Sequence, residues 1–216
     1  KIVNVAAALQ ERRVTLQSVF HCERGSFFYG GRRLRDHHAY GKLTVKEIIT
    51  KSSNIGSAKI AIRLGAPRLH HYIREFGFGE RTRVSLPGEV RGTVHPLKKW
   101  TKLSITRVPM GHEVAVTPMQ LVMMMSAVAN RGQLMRPMLL DSLLDESGRV
   151  VVKYHPEPVR QVISPETARL ATEALKTVEA STPGEVAAGI EFILEGLHLN
   201  KRLNKDRVGT KIQYRG

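Results

Sequence analysis

The first ten positions are apolar nearly all round: Ile2, Val3, Val5, Ala6, Ala7, Ala8 and Leu9 leave few polar interruptions. A helix of that kind is buried on every side, so residues 1–10 predict a core helix with Lys1 on its first turn. Phe27-Phe28-Tyr29-Gly30-Gly31-Arg32-Arg33-Leu34 predicts a hairpin, because Gly30-Gly31 supplies the positive φ angles of a two-residue turn. Thr44 with Glu47 three residues later has capping-box spacing, and Val45, Ile48 and Ile49 form the apolar side of the helix it opens. That helix stops near Ser52. Asn54 reads as the N-cap of the next, which carries Ile55, Ala58 and Ile62 and ends at Gly65. A third short helix is expected from about Pro67 to Phe76, with Gly77 as its stop. Residues 79–110 are loop-rich.

Thr117-Pro118-Met119-Gln120 repeats the capping-box logic, with proline at the first helical position. The helix it opens runs to about Asn130, and its methionine-rich face reads as core. Arg149 to Tyr154 predicts a short strand after the turn Glu146-Ser147-Gly148. Ser164-Pro165 opens a helix reaching about Ala180. Beyond Ser181 the texture changes. Thr182-Pro183-Gly184-Glu185 is another capping-box start, Val186, Ile190, Ile193, Leu194 and Leu197 recur at helical spacing, and a basic tail follows. The expected division is therefore 1–180 and 181–216.

The chain has 216 residues and a net charge of +15. Residues 181–216 contribute only +2 of that charge, so the basicity belongs to the first part. No apolar run reaches the roughly 18 residues of a membrane span. The basic surface suits an anionic wall or membrane, and no zinc-finger spacing or RNP-type aromatic motif points to nucleic acid. The single Cys22 excludes an internal disulfide framework and reads as a small buried side chain. His37-His38 and His70-His71 are adjacent pairs, which do not share a helix face as metal ligands four residues apart do.

The candidate chemistry lies in Ser52-Ser53-Asn54, at the break between two predicted helices. A serine acyl-transfer site needs a nucleophile, a base, a proton relay and donors for the oxyanion. One solution combines a Ser-x-x-Lys helix, a Ser-x-Asn turn and a Lys-Thr-Gly strand. Alone, a Ser-x-Asn triplet carries little weight. Its context changes that: Tyr40-Gly41-Lys42-Leu43-Thr44-Val45 and Ile48-Ile49 precede Lys51-Ser52-Ser53-Asn54-Ile55-Gly56. Phe76-Gly77-Phe78-Gly79, Leu86-Pro87-Gly88-Glu89, the stretch Gly111 to Leu121 around Thr117-Pro118-Met119-Gln120, and Asn130-Arg131-Gly132 follow in order. In these motifs the chain resembles the transpeptidase domain of class B penicillin-binding proteins over roughly residues 1–178.

The resemblance implies a mixed α/β fold like that of penicillin-binding transpeptidases and serine β-lactamases. The chain is expected to supply mostly the all-helical part with a truncated antiparallel sheet, and to expose apolar surface that a complete domain buries. It assigns Lys1 the role of base for a serine three residues before it, outside this sequence. Ser52 becomes a proton relay and Asn54 a holder of the substrate amide. No Lys-Thr-Gly is found: Lys176-Thr177-Val178 falls in a helical pattern with valine where glycine is needed. The chain is therefore expected to be a fragment, inactive as it stands, of a peptidoglycan D,D-transpeptidase. The implied partners are stem peptides ending in D-Ala-D-Ala, β-lactams, and the division or elongation machinery. No cofactor or metal is implied, and the implied location is the periplasmic side of the plasma membrane. A penicillin-binding sensor domain is the alternative. Glu191 to Asn200 with Leu203-Asn204-Lys205 faintly resembles the C-terminal part of magnesium-chelatase-type ATPases.

Overall fold

Helix α1 spans Ile2–Gln10 and is a shared wall between two clusters of buried side chains. A computed structural model describes residues 1–181, of which Lys1–Val178 form one compact unit. The expected division falls at the last described residues, and the last capping-box start and the chelatase-like segment lie outside them.

In chain order, α1 is followed by strands β1 (Val19–His21), β2 (Ser26–Tyr29), β3 (Arg32–Arg35) and β4 (Lys42–Thr44). Helices α2 (Val45–Thr50), α3 (Asn54–Leu64) and α4 (Ala66–Glu75) come next, then β5 (Thr93–Val94), α5 (Ser104–Arg107) and β6 (Val114–Ala115). The remaining elements are α6 (Pro118–Ala129), β7 (Gln133–Met135), β8 (Ser142–Leu144), β9 (Val150–Lys153), β10 (Pro158–Gln161) and α7 (Pro165–Ser181). Lys176-Thr177-Val178 thus lies within a helix, as its pattern predicts. Short helical turns interrupt the stretch read as loop between residues 79 and 110.

The described strands pair only as two-stranded antiparallel ladders: β1 with β4, β2 with β3, β5 with β6, β7 with β10 and β8 with β9. The β2–β3 turn is the one the glycine pair predicts, with φ of 56° at Gly30 and 82° at Gly31.

The core is helical. Val3, Ala6 and Ala7 of α1 face a cluster with Leu64, Leu69, Phe76, Val128 and Ile163, whereas Val5, Ala8 and Leu9 face one with Val45, Ile48, Ile55 and Ile60. Fully buried aliphatic and aromatic side chains of this kind each contribute about 1.5–3 kcal/mol. The alanines of α1 let α3 and α4 pack close to it. A glycine does the same between α2 and α3: a Cβ on Gly56 would stand 2.5 Å from the side chain of Ile48.

Both predicted capping boxes form, at Thr44/Glu47 and at Thr117/Gln120. Gln120 does more than cap. It is buried, and its Nε2 donates to the carbonyls of Glu80 (2.6 Å) and Arg91 (2.9 Å), fastening the intervening loop to α6. The hairpin β8–β9 shows Leu143, Leu144, Val150 and Val151 to solvent, in line with the expectation of exposed apolar surface.

Candidate active site

The site is built where α2 ends and α3 begins, beside the first turn of α1. Lys51 is the C-cap of α2. The N–H of Ser52 then donates to the Ile49 carbonyl and that of Ser53 to the Ile48 carbonyl, each at 3.1 Å. These paired bonds are a Schellman closure, which places the first of the two residues in the left-handed region usually held by glycine. Here it is Ser52, with φ of 53°. A non-glycine residue there costs about 1–2 kcal/mol. Comparing Ser52→Gly with Ser52→Ala isolates the strain, because both lose the hydroxyl. The glycine variant is expected to be the more stable by about 1 kcal/mol in urea denaturation; equal midpoints would refute a strained turn.

The sequence reading of Asn54 as the N-cap is corrected: Ser53 takes that position. Its Oγ accepts from the Gly56 N–H at 2.9 Å, and Asn54 is the first residue inside the helix. The physical reason is the Schellman closure itself. It leaves Ser53 extended and its hydroxyl free to turn back on α3, so the carboxamide of Asn54 is not spent on capping. Asn54 Nδ2 donates instead to the Arg35 carbonyl at 3.2 Å, which leaves its carbonyl oxygen and one N–H for a ligand.

Lys1 closes the constellation. Its Nζ donates to Ser52 Oγ and to the Ser52 carbonyl, both at 2.8 Å. The structure thus brings together all three residues singled out from sequence, Lys1 and Ser52 by direct contact and Asn54 through the shared turn. Burial lowers the pKa of the Lys1 side chain, against a smaller upward pull from the Asp36 carboxylate. A half-buried amine that sheds its proton more readily than usual is suited to act as a base.

Two supporting features were missed from sequence. Asp36 sits at the start of α3, where its carboxylate accepts from Ser53 Oγ (2.7 Å), from the Asn54 N–H (2.5 Å) and from the Ile55 N–H (3.0 Å). A carboxylate at a helix N-terminus satisfies otherwise orphaned donors and meets the positive end of the dipole. The available signal was that Asp36 is the only acid between Glu23 and Glu47, in an otherwise basic stretch. Asp36→Ala is expected to cost about 2 kcal/mol by leaving these donors unpaired, and Asp36→Asn to recover much of it, as read by chemical denaturation. An alanine variant as stable as the parent would remove Asp36 from this role.

The second feature is a polar clasp between helices. Asn4 and Ser57 are both buried, and Asn4 Nδ2 donates to the Ser57 carbonyl at 2.8 Å and to its Oγ at 3.2 Å. Asn4 lies one turn after Lys1, and Ser57 one turn after Asn54, so the clasp sets the register of the two helices that carry the site. A lone amide in an otherwise apolar helix was its signal, since burying one without a partner is costly. Cys22 is buried as expected, beneath the turn, with Ser53 Oγ 3.6 Å from its sulfur. Burial raises its thiol pKa.

The fold is that of penicillin-binding transpeptidase domains. Residues 1–197 match the family described as the penicillin binding protein transpeptidase domain. Penicillin-binding protein PbpB of Mycolicibacterium smegmatis is 35% identical over 191 residues, covering 88% of this chain and 29% of that protein. Stage V sporulation protein D of Bacillus subtilis is 35% identical over 190 residues, covering 87% of this chain and 29% of that protein. Among solved structures, penicillin-binding protein 3 of Mycobacterium tuberculosis complexed with aztreonam superposes with a TM-score of 0.77 at 29% identity, over 84% of this chain and 41% of that one. The chain belongs to the penicillin-binding protein transpeptidase domain family, on its class B branch, and has that family's fold. It spans less than a third of the length of these two curated relatives.

Proposed function

We propose that this chain supplies the base and relay side of a peptidoglycan D,D-transpeptidase site. The observation that carries the reading is the 2.8 Å contact from Lys1 Nζ to Ser52 Oγ, beside the carboxamide of Asn54. A serine one helical turn before Lys1 would lie on the same face of α1. Lys1, its proton affinity lowered by burial, takes the proton from that serine as it attacks the D-Ala-D-Ala carbonyl. Ser52 Oγ, within reach of the same Nζ, relays a proton toward the leaving D-Ala nitrogen. Asn54 holds the substrate amide with the polar atoms that its bond to Arg35 leaves over. The acyl group then passes to an amine of a neighbouring stem peptide, and β-lactams acylate the same serine. The serine and a Lys-Thr-Gly strand come from outside the 216 residues, so the chain as it stands is inactive.

The reading places the site on the outer side of the plasma membrane, where stem peptides are cross-linked. Among the described residues no helix is long and apolar enough to cross a membrane. The probe is a fluorescent penicillin. A longer form of the protein with a serine three residues before Lys1 becomes covalently labelled, and the 216-residue chain does not. Labelling of the shorter chain would show that its nucleophile lies elsewhere.

A further inference from the structure

Helices α1 and α3 run the same way from the site. Lys1 meets Ser52 at their start, and Asn4 meets Ser57 one turn further in. Three residues separate Lys1 from Asn4 on α1, and three separate Asn54 from Ser57 on α3, about 4.5 Å of rise on each. The polar clasp therefore lies at matched depth beneath the contact between the Lys1 amine and Ser52.

The packing around it is smooth. Ala6, Ala7 and Ala8 on α1 and Gly56, Ala58 and Ala61 on α3 are buried small residues. Apolar contact is non-directional, so these residues hold the helices together without choosing one register over another. A slip of one residue is about 1.5 Å, enough to take Lys1 Nζ off Ser52 Oγ. Among the described residues, the two bonds from Asn4 Nδ2 to Ser57 are the only hydrogen bonds that join α1 to α3.

The clasp supplies direction and little net stability. Asn4 is 1% exposed, and its Oδ1 has no hydrogen-bond partner among the described residues. Turning the amide over would set that oxygen against the Ser57 carbonyl, which now accepts from Nδ2 at 2.8 Å. A buried acceptor left unpaired works against folding, and an apolar side chain in its place is close to neutral.

We propose that Asn4 is a positioning residue for acylation, holding α1 in the register with α3 that seats the Lys1 amine on Ser52. The proposal rests on the transpeptidase reading for the reaction, and on the packing of the two helices alone for the seat of the amine.

The test uses the longer form with a serine three residues before Lys1. Asn4→Val fills much of the same space but stops short of the Ser57 carbonyl, whereas Ser57→Ala keeps that carbonyl and the bond to it. Rapid mixing with fluorescent penicillin separates reversible binding from the acylation step. Asn4→Val is expected to slow acylation about 10-fold per active molecule while reversible binding stays within about 2-fold. Ser57→Ala is expected to stay within about 2-fold of the parent in both. In a Lys1→Met background Asn4→Val is expected to cost less than about 2-fold, because the amine it seats is gone. A parental acylation rate in Asn4→Val, or an equal loss in both backgrounds, overturns the proposal.

Reductive methylation of lysine side chains, read by mass spectrometry, follows the seat without catalysis. Asn4→Val is expected to speed methylation of Lys1 about 5-fold, while Lys59 on α3, whose amine donates to the His21 carbonyl, keeps its parental rate. Faster methylation of both would mean general loosening and overturns the proposal. A parent that takes up no penicillin while Lys1 alone shows the change sinks the transpeptidase reading and leaves the register. A labelled parent whose Lys1 is methylated at the same rate with and without the substitution does the reverse.

Discussion

Lys1→Met in a longer form of the protein, with a serine three residues before it, is expected to slow acylation by penicillin about 10³-fold. The figure is that of a general base removed from a site otherwise intact. Methionine keeps the length and apolar stem of lysine, so the packing of the first turn of α1 is preserved. Lys1→Arg is expected to fail almost as badly, because a guanidinium does not give up its proton in the accessible range. In the parent, acylation should rise with pH through an apparent pKa below the ordinary lysine value of 10.5, since burial disfavours the charged amine. Rapid-mixing measurements of label incorporation across pH give both results. A methionine variant acylated within 10-fold of the parent would remove Lys1 from the chemistry.

Stability is expected to fall as pH drops below the ordinary glutamate value of 4.5 through Glu47, whose carboxylate accepts from the Thr44 N–H and from the Thr44 hydroxyl, each at 2.8 Å, and is thereby held below that value. A carboxylate whose pKa is lowered on folding contributes stability that is present above its ordinary pKa and lost as pH falls through the folded value. Glu47→Gln should make the acid limb of stability in urea denaturation shallower, and an unchanged slope would place the titrating group elsewhere.

The helices were largely legible because their signals are local. The run Ile2 to Leu9, the Thr44/Glu47 and Thr117/Gln120 boxes and the Gly30-Gly31 turn each declare themselves within a few residues, and each is present in the structure. The three site residues were legible through order and context, since no local rule joins Lys1 to Ser52. What stayed hidden depends on groups far apart in sequence. Asp36 reaches α3 across 17 to 19 positions, and Asn4 reaches Ser57 across 53. The exchange of roles between Ser53 and Asn54 was hidden for another reason. Both are good caps, and only the unusual backbone of Ser52 decides between them. Short ladders such as β7–β10 were missed because strands of three or four residues give no period to read.

The position of α1 has a consequence for how this chain tolerates change. Ala6, Ala7 and Ala8 are fully enclosed, with one cluster on one side of the helix and one on the other. A methyl group added there has no free direction, since relief on one side compresses the other, and overpacking of this kind costs about 1–3 kcal/mol. Inherited substitutions that keep this fold therefore have little room in the helix bearing Lys1. They have more in the β8–β9 hairpin, where Leu143, Leu144, Val150 and Val151 stand in solvent.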